Sequence, residues 1–212
     1  MNWPEFNSCL NCGSFFVDAH LLCRPCSYLF LQTLKSRKTQ WVEQIPVHSL
    51  LTWPPGTSDA LSHLILRLKT ARPEAWRFYA QHFFLHWADS LSISKSTIFV
   101  SVESRSGNLH AQNWGQALSD FFHRPHENVL SLEGDLQSQK TLSLLRRRGR
   151  KMISRVDFSR LQGHQLIFVD DVVTSGSTAL AAYRALKEPK DFQVWSLVWR
   201  SVSSIAVNQP PW

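Results

Sequence analysis

Leu166-Ile167-Phe168-Val169-Asp170-Asp171-Val172-Val173-Thr174-Ser175-Gly176-Ser177-Thr178 is the stretch on which the reading of the fold turns. Four consecutive apolar residues over 166–169 predict a buried strand, and the alanine-rich run that follows predicts a helix over 177–186. The order is therefore strand, two acids, hydroxyl-rich loop, helix. Adjacent carboxylates at the carboxyl end of a buried strand lie where open α/β sheets bind ligands, and they accept hydrogen bonds from neighbouring sugar hydroxyls. The Thr174-Ser175-Gly176-Ser177-Thr178 turn offers hydroxyls, an unhindered backbone at Gly176 and the free amides of a helix start, a combination that favours a phosphate dianion. The plainer alternative is that Asp171 or Ser177 caps the helix and the rest is ordinary turn chemistry. A P-loop is excluded because no Gly-Lys-Ser/Thr occurs here, and a dinucleotide fingerprint because the G-x-G-x-x-G spacing is missing.

Outward from this stretch, strands alternate with helices. Short strands are expected over 97–102, 129–132 and 194–199, and amphipathic helices over 27–41, 60–69, 74–91 and 113–122, with 136–152 a leucine-bearing basic helix or loop. Alternation of this kind implies an α/β fold built on a parallel sheet. Pro46, Pro54, Pro55 and Gly56 mark 44–59 as a loop-rich passage, so the expected organisation is 1–40 as one unit, 41–59 as linker and 60–212 as the main domain. At 212 residues and 43% hydrophobic content, one well-buried core and a small appendage are what the chain can build.

The appendage is announced by cysteine. Cys9, Cys12, Cys23 and Cys26 form two C-x-x-C pairs, a spacing that can aim four thiolates at one tetrahedral metal, and a segment so short has little core of its own. Gly13 suits the tight turn that points amides at sulfur. Structural zinc is the expected occupant, with a disulfide pair or redox-active dithiols as the alternatives. His20 stands nearby as a bystander, since four cysteines complete the shell. No basic-then-apolar leader and no run of membrane-spanning length is visible, so a soluble, cytoplasmic protein without membrane insertion is expected. The net charge of +7 favours anionic partners without choosing between phosphorylated metabolites and nucleic acid.

The sequence from Val169 to Thr178 resembles the phosphoribosyl pyrophosphate signature of type I phosphoribosyltransferases, with Ser175 where a second threonine is usual. Joined to a four-cysteine knuckle, it resembles the ComF family of competence-associated proteins. Leu66-Arg67-Leu68-Lys69 and Gln139-x-x-Leu142 with Arg147 are similar to two further family segments. The resemblance implies a type I phosphoribosyltransferase-like sheet flanked by helices, magnesium bound together with phosphoribosyl pyrophosphate, and a role in DNA uptake during transformation. It further implies single-stranded DNA and a helicase-type competence protein as partners. Asp170 and Asp171 would be the catalytic pair that holds the ribose hydroxyls. Val172 and Val173 lead into Thr174, Ser175, Gly176, Ser177 and Thr178, which would hold the 5-phosphate. Lys69, Arg105 or Arg147 would meet the pyrophosphate. The chain departs from the family where Ser101-Val102-Glu103 replaces a Pro-Val-Pro strand end, where His110-Ala111-Gln112-Asn113 replaces Arg-Gly-Phe-Asn, and where Arg150 replaces an asparagine. These positions surround the pyrophosphate and acceptor side, so ribose-phosphate binding is better supported than turnover. The competing expectation is a catalytically silent module that senses the same metabolite in this pocket and uses the basic stretch and the cysteine knuckle to hold single-stranded DNA.

Arg146-Arg147-Arg148-Gly149-Arg150-Lys151, with Arg155 beyond, is the densest charge run. It suits a nucleic-acid backbone, a basic loop over pyrophosphate, or a solvated helix face. Most of the nine tryptophans are expected in the core, with Trp114, beside polar neighbours, as the candidate stacking surface; the nine histidines show no metal-ligand spacing.

Overall fold

The computed structural model describes residues 8–9, 14, 23–33, 38–53, 73–103, 109–132 and 152–200. Seven strands form one mixed sheet: β1 (Gln40–Val42), β2 (Ile45–Trp53), β3 (Thr97–Val102), β4 (His126–Leu132), β5 (Met152–Ser154), β6 (Gln165–Val173) and β7 (Phe192–Arg200). Their order across the sheet is β1-β2-β7-β6-β3-β4-β5. The five central strands, β2, β7, β6, β3 and β4, run parallel, and β1 and β5 close the two edges antiparallel. The expected parallel sheet is thus the centre of a mixed one.

Four helices are described: α1 (Arg24–Thr33), α2 (Pro73–Trp87), α3 (His110–Phe122) and α4 (Ser177–Ala185), with a 3-10 turn at Phe158–Leu161. Right-handed crossovers dictate which face each helix covers. The β2-to-β3 and β3-to-β4 connections step the same way across the sheet, so α2 and α3 share a face; β6 to β7 steps back, so α4 lies on the other. The core is accordingly split. One half packs Trp76, Tyr79 and Phe83 of α2 and Trp114 and Leu118 of α3 against Phe99, Ile167, Val169 and Trp195 of the sheet. The other packs Ala179 and Ala182 of α4 against Val47, Ile98, Val100, Phe168 and Val194. Burial on both faces explains why the central strands read as near-continuous apolar runs rather than as alternating ones.

Two expectations need correction. The passage read as linker contains β1 and β2, and β2 is an interior strand paired to β7 from Val47↔Val194 to Trp53↔Arg200. Prolines suggested a loop, but Pro46 is the second residue of β2, where the partner is only the three-residue edge strand β1. A proline is tolerated beside an edge because few ladder bonds depend on its missing N–H. Trp114 is no stacking surface: it is fully buried, its ring set 5.7 Å from that of Phe83, and its indole N–H donates to the Trp195 carbonyl at 3.3 Å. The helix expected over 60–69 lies outside the described residues, as does all but the last residue of 136–152; that last residue, Met152, opens β5.

Candidate functional site

The strand expected over 166–169 runs further, through Asp170 and Asp171 to Val173, and is followed by the loop and α4 in the expected order. β6 sits beside β3, and from this pair the chain departs in opposite directions, β3 towards β4 and β6 towards β7. The strand order therefore reverses between β3 and β6, and the two acids lie towards the carboxyl end of β6 at that reversal, where an open parallel sheet leaves a crevice. Each acid folds back on the chain: Asp170 Oδ1 accepts from the Asp171 amide and Asp171 Oδ1 from the Val172 amide, both at 3.0 Å. Engaging one oxygen of each carboxylate locally fixes the direction of the other.

Thr174 and Ser175 are exposed, while Gly176 is buried and takes a left-handed conformation, φ 72° and ψ 3°. Only glycine suits this position, for two separate reasons. A side chain would be strained at that φ, and a Cβ would overlap Val42 of β1, 3.0 Å from its Cβ and closer to both methyls. The loop is therefore pinned against the edge strand. The first intrahelical bond of α4 is Leu180 N–H to the Gly176 carbonyl, 2.9 Å, so the amides of Ser177, Thr178 and Ala179 precede the helical ladder and point out of its positive end. Ser175 Oγ donates to Ser177 Oγ at 3.1 Å, gathering two hydroxyls at the same point. An anion of phosphate size would meet amides, hydroxyls and a helix dipole together.

Beneath the acids lies a polar row that sequence reading missed. Asp170 is in register with Ser196 of β7, which is in register with Ser49 of β2. The two serines are buried and their hydroxyls are 2.6 Å apart. Ser49 follows His48 in β2 and Ser196 lies between Trp195 and Leu197 in β7, and only strand register makes the two serines a row. Ser101 of β3 is also fully buried; its hydroxyl donates to Asn128 Oδ1 at 2.5 Å and so accepts from His126 Nε2 at 3.0 Å. Burial holds the His126 imidazole down to about 4, which fits a neutral ring carrying its proton on Nε2. Gly115 makes room for that ring, since a Cβ there would stand 2.7 Å from His126 Cδ2. At the same end of β3, Glu103 pairs with Arg155. Lys69, Arg105 and Arg147, and the whole run 146–151, lie outside the described residues.

The second cluster is built from cysteine. The sulfurs of Cys9, Cys23 and Cys26 lie within 4.8 Å of one another, and all three residues are buried. A tetrahedral site with zinc–sulfur bonds of about 2.3 Å has sulfur–sulfur edges of about 3.8 Å, so the cluster has the right scale for such a metal. Cys23 precedes α1, and the Ser27 amide donates to its carbonyl at 2.9 Å; Cys26 is in the first turn after Pro25. A helix start stabilises thiolates through its dipole, and Pro25 at the first turn costs no helical bond. Cys9 N–H donates to the Ser14 carbonyl at 2.7 Å. Cys12 and His20 lie outside the described residues. The three cysteines belong to the same core as Ala75, Trp76 and Tyr79 of α2, so the cluster is packed into the sheet domain.

The chain matches none of the protein-family models, and no curated protein sequence matches it. Among the described residues no helix is long and apolar enough to cross a membrane.

Proposed function

We propose that the chain binds phosphoribosyl pyrophosphate with magnesium at the carboxyl end of β6, as type I phosphoribosyltransferases do, and serves DNA uptake as a ComF-like protein. The observation that carries this reading is that Asp170-Asp171 and the Gly176 turn into α4 lie together beside the strand-order reversal. In this reading Asp170 and Asp171 accept the ribose hydroxyls on their outward oxygens. Thr174, Ser175, Ser177 and Thr178, with the first amides of α4, hold the 5-phosphate. Magnesium, bound through pyrophosphate and ribose oxygens, neutralises charge on the leaving group. The chain's own part is positioning and neutralisation, with Lys69, Arg105 or Arg147 as the cations for the pyrophosphate. The cysteine cluster, with Cys12 as fourth ligand, holds structural zinc.

The test is calorimetric titration of the zinc-replete protein with phosphoribosyl pyrophosphate and magnesium, beside the double substitution Asp170→Asn/Asp171→Asn. Micromolar binding, about −8 kcal/mol, that vanishes in the double variant supports the reading. Wild-type protein that takes up none of the ligand sinks it.

One observation favours a second reading, a sensor that binds without turnover. Glu103 brings a carboxylate to the end of β3, on the side where pyrophosphate would lie, and it engages Arg155. A carboxylate there repels the leaving group and occupies a cation. Pyrophosphate release with candidate bases, abolished by Asp171→Asn, would favour the enzyme; tight binding without release would favour the sensor. Single-stranded DNA affinity that falls steeply with salt, and with charge reversal over 146–151, would support the nucleic-acid role.

A further inference from the structure

The carboxyl edge of the sheet carries a cation that neither the acids nor the hydroxyl loop engages. Arg200 ends β7 in register with Trp53, which ends β2, and its guanidinium lies over the Trp53 ring, 4.4 Å from the centroid. Trp53 is half-buried against the aromatic core, and as the residue before Pro54 it is confined to extended backbone, so its ring is a fixed platform. Arg200 is exposed and, among the described residues, pairs with no carboxylate. The adjoining sequence offers little to neutralise it: 201–212 holds no acidic side chain and 54–72 only Asp59. A guanidinium stacked through its face keeps its N–H edge free, and that edge takes a carboxylate through two parallel hydrogen bonds.

Register gives the arginine its place. β7 lies between β6 and β2, and the pairing Val173↔Trp199 sets Arg200 level with Thr174, the first residue of the loop. Asp170 is level with Ser196, four residues earlier, which is about 13 Å along the strand. With the guanidinium turned onto Trp53, on the side of β7 away from β6, room is left for a small molecule between arginine and acids. Across this end of the sheet the order is Glu103 just past β3, the acids on β6, then Arg200 and Trp53 on β7 and β2. In a displacement at a sugar carbon, nucleophile and leaving group take opposite faces. On the ribose-phosphate reading, on which this inference rests, pyrophosphate lies towards β3, so the acceptor stands towards β7. We propose that Arg200, held by Trp53, takes the carboxylate of the acceptor, and that the acceptor class is therefore an amine or ring nitrogen bearing a carboxylate. The acceptor nitrogen bonds the anomeric carbon as the carbon–oxygen bond to pyrophosphate breaks. The electron pair leaves on that oxygen, and any proton on the nitrogen passes to solvent.

The test loads the full-length protein with phosphoribosyl pyrophosphate and magnesium, then titrates it by calorimetry with pyridine-, pyrimidine- and aminobenzene-carboxylates, each beside its neutral amide. At least one carboxylate is expected to bind about 10-fold more tightly than its amide, the scale of a charge-assisted pair. Arg200→Ala is expected to abolish that preference while leaving phosphoribosyl pyrophosphate affinity unchanged, with circular dichroism showing that the exposed substitution keeps the fold. Arg200→Lys should restore only part of the preference, because an ammonium neither stacks on Trp53 nor forks to a carboxylate. Absence of any preference for carboxylate over amide in the wild type would overturn the proposal, as would a preference that survives Arg200→Ala. Weakened phosphoribosyl pyrophosphate binding in Arg200→Ala would overturn it too, by assigning the arginine to the pyrophosphate. Failure of the underlying reading shows separately, as wild type that takes up no phosphoribosyl pyrophosphate before any carboxylate is added.

Discussion

The acid-and-hydroxyl loop and the cysteine cluster are both small groups of polar atoms held by a helix start, yet they are built in opposite ways. The loop is contiguous, from Asp170 to Thr178, partly exposed, and shaped by its own backbone: carboxylates bonded to the next amide, a glycine at positive φ, hydroxyls meeting two residues apart. The cluster gathers residues from Cys9 to Cys26 and seals them in the aromatic core under α2. A site made by neighbours in sequence can be altered without unfolding the domain. A site made by packing cannot, because its cysteines are also part of the core.

This difference sets the scale of what substitutions should do. The largest effect is expected at the cluster: on the zinc reading, Cys23→Ser removes a ligand whose metal-binding free energy would also be folding free energy, and should cost on the order of 4 kcal/mol or more in chemical denaturation. Loss under about 1 kcal/mol would mean that the cluster contributes little beyond apolar packing. Next is Gly176→Ala, where backbone strain and overlap with Val42 together should cost about 1–3 kcal/mol and also spoil anion binding. It is the one position in the loop expected to behave like the core.

Acid should then distinguish the buried histidines from the loop. His48, edge-on to the Trp87 ring, and His126 are both held down to about 4 by burial. An unfolded imidazole takes up its proton near 6.5 and the folded ones only near 4, so between those values the unfolded state binds more protons. Stability should be fully present above pH 6.5 and fall by up to about 1.4 kcal/mol per pH unit for each histidine below it. Urea titrations across that range should show the decline, and His48→Phe should roughly halve its slope, leaving the part due to His126. A flat wild-type profile would mean that both rings are protonated in the fold.

The acids themselves should matter more to ligand than to fold. Asp170→Asn/Asp171→Asn keeps an oxygen for each backbone amide, so stability should change by about 1 kcal/mol at most, while phosphoribosyl pyrophosphate binding is lost. A larger loss of stability would move the acid pair to the structural side of the comparison. Smallest is Glu103→Gln. Its pairing with Arg155 is solvent-exposed on both sides, 41% and 49%, and should contribute less than about 1 kcal/mol to stability. On the sensor reading the same substitution should raise affinity for inorganic pyrophosphate.

The elements that could be read in the sequence were those with a strong period or a contiguous signal. The strand over 97–102 appears with the expected bounds, and α4 and β7 with ends shifted by one or two residues. Where the reading went astray, a local cue was overruled by pairing. Pro46 signalled a loop, but Val47, Leu50 and Leu51 had two sheet faces to fill and formed an interior strand. Polar neighbours put Trp114 at the surface, but in α3 those neighbours lie off the face that the indole buries. Ser49 and Ser196 carry no signal at all until β2 and β7 are laid side by side, 147 residues apart in the chain.

What the sequence by itself determined was the strand–acid–loop–helix unit and the metal-like spacing of its cysteines, because both depend on bonds between residues near one another along the chain. Only the tertiary structure decided that the acid pair stands beside a reversal of strand order, that Gly176 must clear Val42, and that the cysteines share their core with Tyr79 and Trp76. These last relations join residues far apart in the chain. They come into being when apolar surface is buried from both faces of the sheet at once, which no local pattern of residues encodes.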